Sequence, residues 1–181
     1  RIFHISMAIL PWLYFTHGDT ISGYVNIDKP QFVSAGVIAL ILVETIRLKL
    51  GFTMYGQRDY EAKQVSALAW GAFAVGITFL CLPNSPEFVY PLIFSLSFGD
   101  PFLGELRRVD FQPKTVFLVG TIFIMLLWII TWHFFGTPLW LAPIMAPLCV
   151  AAEWPRLRWI DDDATILLIP LTAILLVVPW L

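Results

Sequence analysis

Residues 116–135 read VFLVGTIFIMLLWIITWHFF, a run that contains no Asp, Glu, Lys or Arg. A helix rises about 1.5 Å per residue and the hydrocarbon core of a bilayer is about 30 Å thick, so a run of this length reaches across it. The run therefore predicts a transmembrane helix. The whole chain is 59% hydrophobic and 13% charged, which is too apolar for a soluble domain and typical of an integral membrane protein.

Six further apolar runs flank this one, separated by charged or Pro/Gly-rich breaks. The seven candidate segments are 2–15, 32–48, 65–82, 88–103, 116–135, 139–154 and 164–181. Several are shorter than the roughly 20 residues of a full span, so their polar ends are expected at membrane depth, within protein or a wet cavity. The predicted fold is all-α: one polytopic membrane-embedded helical bundle over residues 1–181, with about seven transmembrane helices, or six if the first is re-entrant.

Charged residues fall mainly on one side of these segments. Ten of the eleven basic residues, all but Lys29, lie in alternate breaks, and the positive-inside rule places those breaks in the cytoplasm. Ten of the thirteen acidic residues share that side, which topology does not require. The cytoplasmic face is therefore predicted to carry chemistry. No basic stripe suggests a nucleic-acid partner.

The densest break, residues 97–114, reads SFGDPFLGELRRVDFQPK. Asp100 precedes Pro101, an arrangement that disfavours helical backbone at Asp100 and suits a new helix with Asp100 as its cap. On that helix Asp100, Gly104 and Arg107 would share one face. Carboxylates and guanidinium groups at a segment end suggest metal and phosphate chemistry, and a solvated loop is the alternative.

Within this break, Asp100 and Glu105 offer oxygens to a hard cation such as Mg²⁺, which usually takes one or two carboxylates and substrate phosphates. Arg107, Arg108 and Lys114 can neutralise phosphate oxygens. Anchoring on the cytoplasmic side is the alternative role for the two arginines.

Two other constellations lie on the same side. Glu44 and Arg47, one helical turn apart, are either an ion pair that makes a buried acid tolerable or part of a functional site. The second constellation begins with Glu153, near the end of the sixth segment, and continues with three acids that open the last one, Asp161, Asp162 and Asp163. One acid suffices for capping, and adjacent like charges repel unless a cation or base joins them.

Two groups of residues are weaker candidates for a functional site. The charges of the loop after the second segment fit an ordinary solvated loop equally well; they are Arg58, Asp59, Glu61 and Lys63. None of the three histidines has a partner at the sequence spacing of metal ligands.

The order of five stretches resembles the dolichol kinase and phytol kinase family, membrane enzymes that phosphorylate a lipid alcohol, mostly with CTP. The stretches are RIFH (1–4), VETIR (43–47), FGDPFLGE (98–105), PKT (113–115) and IDDDATILLIP (160–170). Pro101 and Phe102 replace small residues of the family pattern, and Asp163 replaces an asparagine, so the resemblance is to a divergent member.

The resemblance implies a lipid kinase with Mg²⁺ as cofactor and CTP, or another nucleoside triphosphate, as co-substrate. Its other partners would be an isoprenoid or polyprenol-type alcohol and the bilayer, and a homo-oligomer is compatible with it. Together with the charge pattern it assigns catalytic roles to Asp100, Glu44 and Asp162, nucleotide or phosphate binding to Arg47, Gly99, Gly104, Arg107 and Lys114, and metal binding to Asp100, Glu105, Asp161, Asp162 and Asp163. The alternatives are a cytidylyltransferase-like phospholipid enzyme and a catalytically inactive membrane subunit of the same fold.

Overall fold

A computed structural model describes residues 2–53, 62–155, 157 and 159–180. Every regular element in these residues is a helix, which confirms the all-α prediction. The α-helices are α1 (Ile2–Met7), α2 (Ile9–Trp12), α3 (Gly18–Gly23), α4 (Lys29–Leu50), α5 (Ala67–Cys81), α6 (Pro86–Phe94), α7 (Asp100–Arg108), α8 (Pro113–Phe135), α9 (Ala142–Glu153) and α10 (Asp162–Val177). The π-helical turns are Leu13–His17 and Ser95–Gly99, and short 3-10 turns cover Leu139–Leu141 and Val178–Trp180.

Local signals set the ends of the long helices. At the start of α4 the Asp28 carboxylate accepts from the Gln31 backbone N–H at 2.7 Å, and the Gln31 side-chain oxygen accepts from the Asp28 N–H at 3.2 Å. This reciprocal capping box satisfies two N–H groups that the helix leaves unpaired. Gly51 and Gly136 end α4 and α8 with left-handed φ values of +67° and +75°, which glycine adopts without a Cβ penalty.

The apolar run 116–135 lies within α8. Among the described residues, it is the one helix long and apolar enough to cross a membrane. Only 28% of its most apolar window is buried within the protein, so most of this helix faces outward. Two shorter apolar helical stretches cover Ala67–Cys81 and Leu139–Glu153. The number of membrane crossings stays a prediction.

The central helix is α10, which packs between α5 and α9. From there the bundle extends in both directions, with α4 on α5 and α8 on α9, while α6 contacts both α8 and α10. Large side chains that are fully buried along this arrangement include Leu92, Ile124, Trp128, Ile166 and Leu167. The core therefore runs through the middle of the bundle, and α1 closes one end by packing on the Ser95–Gly99 turn and α7.

Small residues on α5 permit close approach on two sides. A Cβ atom on Gly76 would lie 2.4 Å from Val37 Cγ2 on α4, so no larger residue fits without a shift. A Cβ atom on Gly71 would lie 3.5 Å from Met7 and 3.6 Å from Asp163. The small-residue spacing thus lets α5 contact α4 on one side and the start of α10 on another.

The predicted break at Asp100 is wrong. Asp100 has φ −58° and ψ −52°, and the chain passes from α6 through the Ser95–Gly99 turn into α7 without leaving helical geometry. Pro101 lies in the first turn of α7, directly after the π-helical turn, and it has no N–H group with which to continue the hydrogen bonds of that turn. The helix that was expected to follow Asp100 is confirmed as α7.

Candidate functional site at the acidic helix ends

Charged side chains from four helices meet at one end of the bundle. The group, called here the acidic cluster, consists of His4, Asp100, Glu153, Asp161, Asp162 and Asp163. His4 comes from α1, Asp100 begins α7, Glu153 ends α9, and the three consecutive aspartates lead into α10. Helix packing therefore brings together residues from both ends of the chain.

Close distances join the members of the acidic cluster. The His4 Nε2–H donates to Asp163 Oδ1 at 2.9 Å, and the same nitrogen lies 3.6 Å from Asp100 Oδ2. Asp100, Glu153 and Asp162 each offer a carboxylate oxygen within 4.8 Å of the others. Asp163 is 4% exposed and Glu153 is 3% exposed, so two of these carboxylates are nearly removed from water.

Capping accounts for part of the Asp161–Asp163 run. The Asp161 carboxylate accepts from the Asp163 backbone N–H at 3.3 Å, and the helix dipole of α10 favours negative charge at this position. Asp162 and Asp163 are not needed as caps. Asp163 instead has a carboxylate oxygen within 4.8 Å of ligand atoms of His4 and Asp100. Asp162 has one within 4.8 Å of carboxylate oxygens of Asp100 and Glu153.

The electrostatics of the acidic cluster favour a cation. Burial raises the pKa of Asp161 to about 7, helped by a hydrogen bond with Asp162 and by the charges of Asp163 and Asp162. Such a rise means that an additional negative charge is disfavoured at this helix end. The grouped carboxylates could hold a metal ion, and oxygen ligands of this kind suit hard cations.

Arg107 provides a positive charge at the edge of the acidic cluster. Its Nη2 group donates to Glu153 Oε1, and its Nε group donates to the Leu103 carbonyl oxygen at 3.3 Å. The Arg107 side chain is 36% exposed, whereas its carboxylate partner is buried. The guanidinium therefore connects the interior carboxylates with the surface.

Glu44 and Arg47 form a separate, closed ion pair. Arg47 donates from Nε to Glu44 Oε2 at 2.9 Å and from Nη2 to Oε1 at 2.7 Å. Glu44 Oε1 also accepts from the Ser66 N–H at 2.7 Å, and Arg47 donates to the Gln64 and Phe52 carbonyl oxygens. Both carboxylate oxygens thus have donors, and the pair ties the end of α4 to the start of α5.

The other described residues that were predicted from the sequence are not members of the acidic cluster. Glu105 pairs with Arg108 on α7, and Lys114 is exposed at the start of α8. Gly99 is buried, and a Cβ atom there would lie 3.1 Å from a side chain of α8. Gly104 has open space at that position, so packing does not demand a glycine. Lys63 is exposed, while Arg58, Asp59 and Glu61 lie outside the described residues.

His4 was missed as a site residue, whereas Glu153 was noted together with the Asp161–Asp163 run but given no role. No partner of His4 lies at metal-ligand spacing in the sequence, because its hydrogen-bond partner Asp163 is 159 residues away. Only the place of His4 in the RIFH stretch could have drawn attention to it. Glu153 offered one signal, an acid that ends an apolar run.

The chain was compared with family models, with curated proteins and with solved structures. No match was found in any of the three comparisons. What the acidic cluster can do is therefore argued from its own residues and geometry.

Proposed function

We propose that this chain is an integral membrane lipid kinase. It transfers the γ-phosphoryl group of CTP, or another nucleoside triphosphate, to the hydroxyl group of an isoprenoid or polyprenol-type alcohol at the cytoplasmic face. The observation that carries the proposal is the acidic cluster. His4, Asp100 and Asp162 come from three stretches that resemble parts of one family's pattern, and they are neighbours in space beside Arg107.

Exposed apolar surface supports the membrane part of the proposal. Large apolar side chains are exposed on α4 at Ile38, Ile41, Leu42, Val43 and Ile46, and on α8 at Leu118, Ile122, Leu126 and Ile130. The α8 positions recur every four residues, so they form one row on the helix surface. Contiguous apolar surface of this kind is unfavourable in water and favourable in lipid, and the proposal includes a multi-pass arrangement.

The proposed Mg²⁺ site uses Asp100, Glu153 and Asp162. Their oxygens fit the preference of Mg²⁺ for a few carboxylates completed by substrate phosphates. When bound, Mg²⁺ supplies neutralisation of charge on the phosphate oxygens. The His4–Asp163 hydrogen bond fixes the orientation of a carboxylate beside this site.

The proposed reaction is a direct transfer of the γ-phosphoryl group to the alcohol. The alcohol oxygen attacks the γ-phosphorus, the bond from that phosphorus to the β–γ bridging oxygen breaks, and CDP leaves with the bond's electron pair. The hydroxyl proton passes to a carboxylate. Asp162 is favoured over Glu44 for this step and would use the carboxylate oxygen that the Mg²⁺ site does not need, because both oxygens of Glu44 already accept hydrogen bonds. Arg107 offsets negative charge on the transferred group.

The test is a phosphoryl-transfer assay with the purified full chain in lipid vesicles. CTP labelled at the γ-phosphate, Mg²⁺ and one of several alcohols, such as a polyprenol, phytol or diacylglycerol, are supplied in turn. We expect a labelled lipid monophosphate and an equal amount of CDP, both abolished by EDTA.

Other products would decide between the alternatives. A lipid product that contains CMP, with release of pyrophosphate, would indicate a cytidylyltransferase. No transfer from any nucleoside triphosphate to any lipid alcohol would overturn the kinase proposal.

A further inference from the structure

A surface cavity of about 240 Å³ lies beside the acidic cluster. It is lined by Arg107, Phe111, Pro113, Val116 and Trp154, and it is called here the aromatic pocket. These residues come from the end of α7, the turn that follows it, the start of α8 and the residue just after α9. The pocket thus lies where the end of α7, the start of α8 and the end of α9 converge.

The composition of the aromatic pocket differs from that of two other cavities in the described residues. Those cavities lie along α4, one against α5 and the other against the first helices. Glu44 lines the first and Lys29 the second, but the surface that both cavities expose is almost wholly apolar. The aromatic pocket instead combines a guanidinium group with two aromatic rings. Phe111 is 48% exposed and Trp154 is 44% exposed, so both rings are accessible to a ligand.

Arg107 links the aromatic pocket directly to the acidic cluster. It lines the pocket and also donates to Glu153, whose carboxylate lies within 4.8 Å of ligand atoms of Asp100 and Asp162. A ligand whose ring lies in the pocket would therefore direct its phosphates towards the acidic cluster, with Arg107 between the two.

We propose that the aromatic pocket binds the base of the nucleoside triphosphate whose phosphates lie at the acidic cluster. The inference rests on the proposed function and adds a binding site to it. Nucleobases stack on aromatic side chains, and arginine adds cation–π contact.

The test compares single substitutions at Trp154 and Phe111 in the full chain. Trp154→Ala and Phe111→Ala remove a ring, and Trp154→Phe keeps one. Trp132→Ala is the matched control, because Trp132 is 45% exposed at the other end of α8. The measurements are the dissociation constant for labelled CTP with Mg²⁺ and the KM for CTP.

We expect the two ring-removing substitutions to weaken CTP binding and raise the KM by about 10-fold, the scale found for loss of one stacked base. Trp154→Phe should keep most of the affinity, and Trp132→Ala should match the wild type.

Unchanged CTP binding in both Trp154→Ala and Phe111→Ala, with a wild type that turns over, would overturn the pocket inference and leave the kinase proposal standing. Loss of vesicle association with an unchanged KM would also overturn it, since Trp154 would then be an interfacial anchor. A wild type that binds no nucleotide at all would overturn the proposed function itself.

Discussion

Buried carboxylates occur in two regions of the part of the chain that the structure describes, and their surroundings differ. At the α4–α5 junction, Glu44 is paired with Arg47 and also accepts from the Ser66 N–H, so its charge and both oxygens are matched. At the acidic cluster, Asp100, Glu153 and Asp163 share few cationic partners. The first region is complete in itself, whereas the second favours an added cation.

A buried acid is informative only together with its partners. A matched ion pair needs no further cation, and removal of one partner leaves an uncompensated buried charge. A group of neighbouring carboxylates repels itself and gains when a metal ion or a phosphate-bound cation joins it. We therefore expect substitutions in the first region to change stability, and substitutions in the second to change ligand binding and turnover.

The largest effect is expected from Asp100→Asn. It removes one of the proposed Mg²⁺ ligands, so turnover with CTP should fall about 1,000-fold, equivalent to about 4 kcal/mol. Thermal stability without Mg²⁺ should stay equal or rise, because one repelling charge is lost. Initial rates and thermal midpoints measure the two effects. Asp110→Asn is the control, since Asp110 is exposed and its φ of +62° suits asparagine. Equal turnover in both variants would remove Asp100 from the site.

Glu44→Gln should act in the opposite sense. Arg47 is 2% exposed, and loss of its charged partner should lower stability by about 3–5 kcal/mol. The protein that remains folded should bind CTP as the wild type does. Thermal unfolding followed by binding at a permissive temperature separates the two quantities. Glu105→Gln, in the solvent-exposed pair with Arg108, should leave the midpoint unchanged. Normal stability with lost turnover would instead make Glu44 a catalytic group.

Gly76→Ala tests whether the packing of α4 against α5 affects stability alone or also affects turnover at the acidic cluster. Its Cβ atom would lie 2.4 Å from Val37 Cγ2, and we expect a loss of about 1–3 kcal/mol from the required shift. Gly36→Ala on α4 meets no atom within 4 Å and should be neutral or slightly stabilising. Turnover per folded molecule should be equal in both variants. A large drop in turnover for Gly76→Ala alone would show that the two regions are coupled.

The smallest effect concerns pH and the second region. The pKa of Asp161 is raised from 3.8 to about 7, so the folded state holds this proton more tightly than the unfolded chain. The stability from this group is complete below pH 3.8 and is lost as the pH rises to about 7. In EDTA, the thermal midpoint of the wild type should fall over that window more than that of Asp161→Asn, which retains a capping side chain. Parallel pH profiles would contradict this expectation.

Much of the helical pattern could be predicted from the sequence because its causes are local. The apolar run of α8, the Asp28 capping box and Gly51 act within one or two turns of the residues they affect. The break expected at Asp100 failed because the π-helical turn before it changes the local hydrogen-bond register.

The candidate site was predictable only in part. Asp100 and Asp162 stood out because several acids gathered at segment ends. His4 did not, and Glu153 was noted without a role, since their relation to those acids depends on how α1 and α9 pack against α7 and α10. Glu44 and Asp100 were both predicted to be catalytic, and the hydrogen-bond partners of Glu44 distinguish the two.

The sequence alone determined that this chain is helical, where its longest apolar helix lies, and that its acids lie at a few segment ends. Hydrophobic length, capping and glycine geometry are properties of neighbouring residues, so no packing information is needed for them. Only the tertiary structure decided which acids share a site. The close approach of α5 to α10 and of α1 to α7 brings His4 to Asp100 and Asp163, while the same fold closes Glu44 onto Arg47.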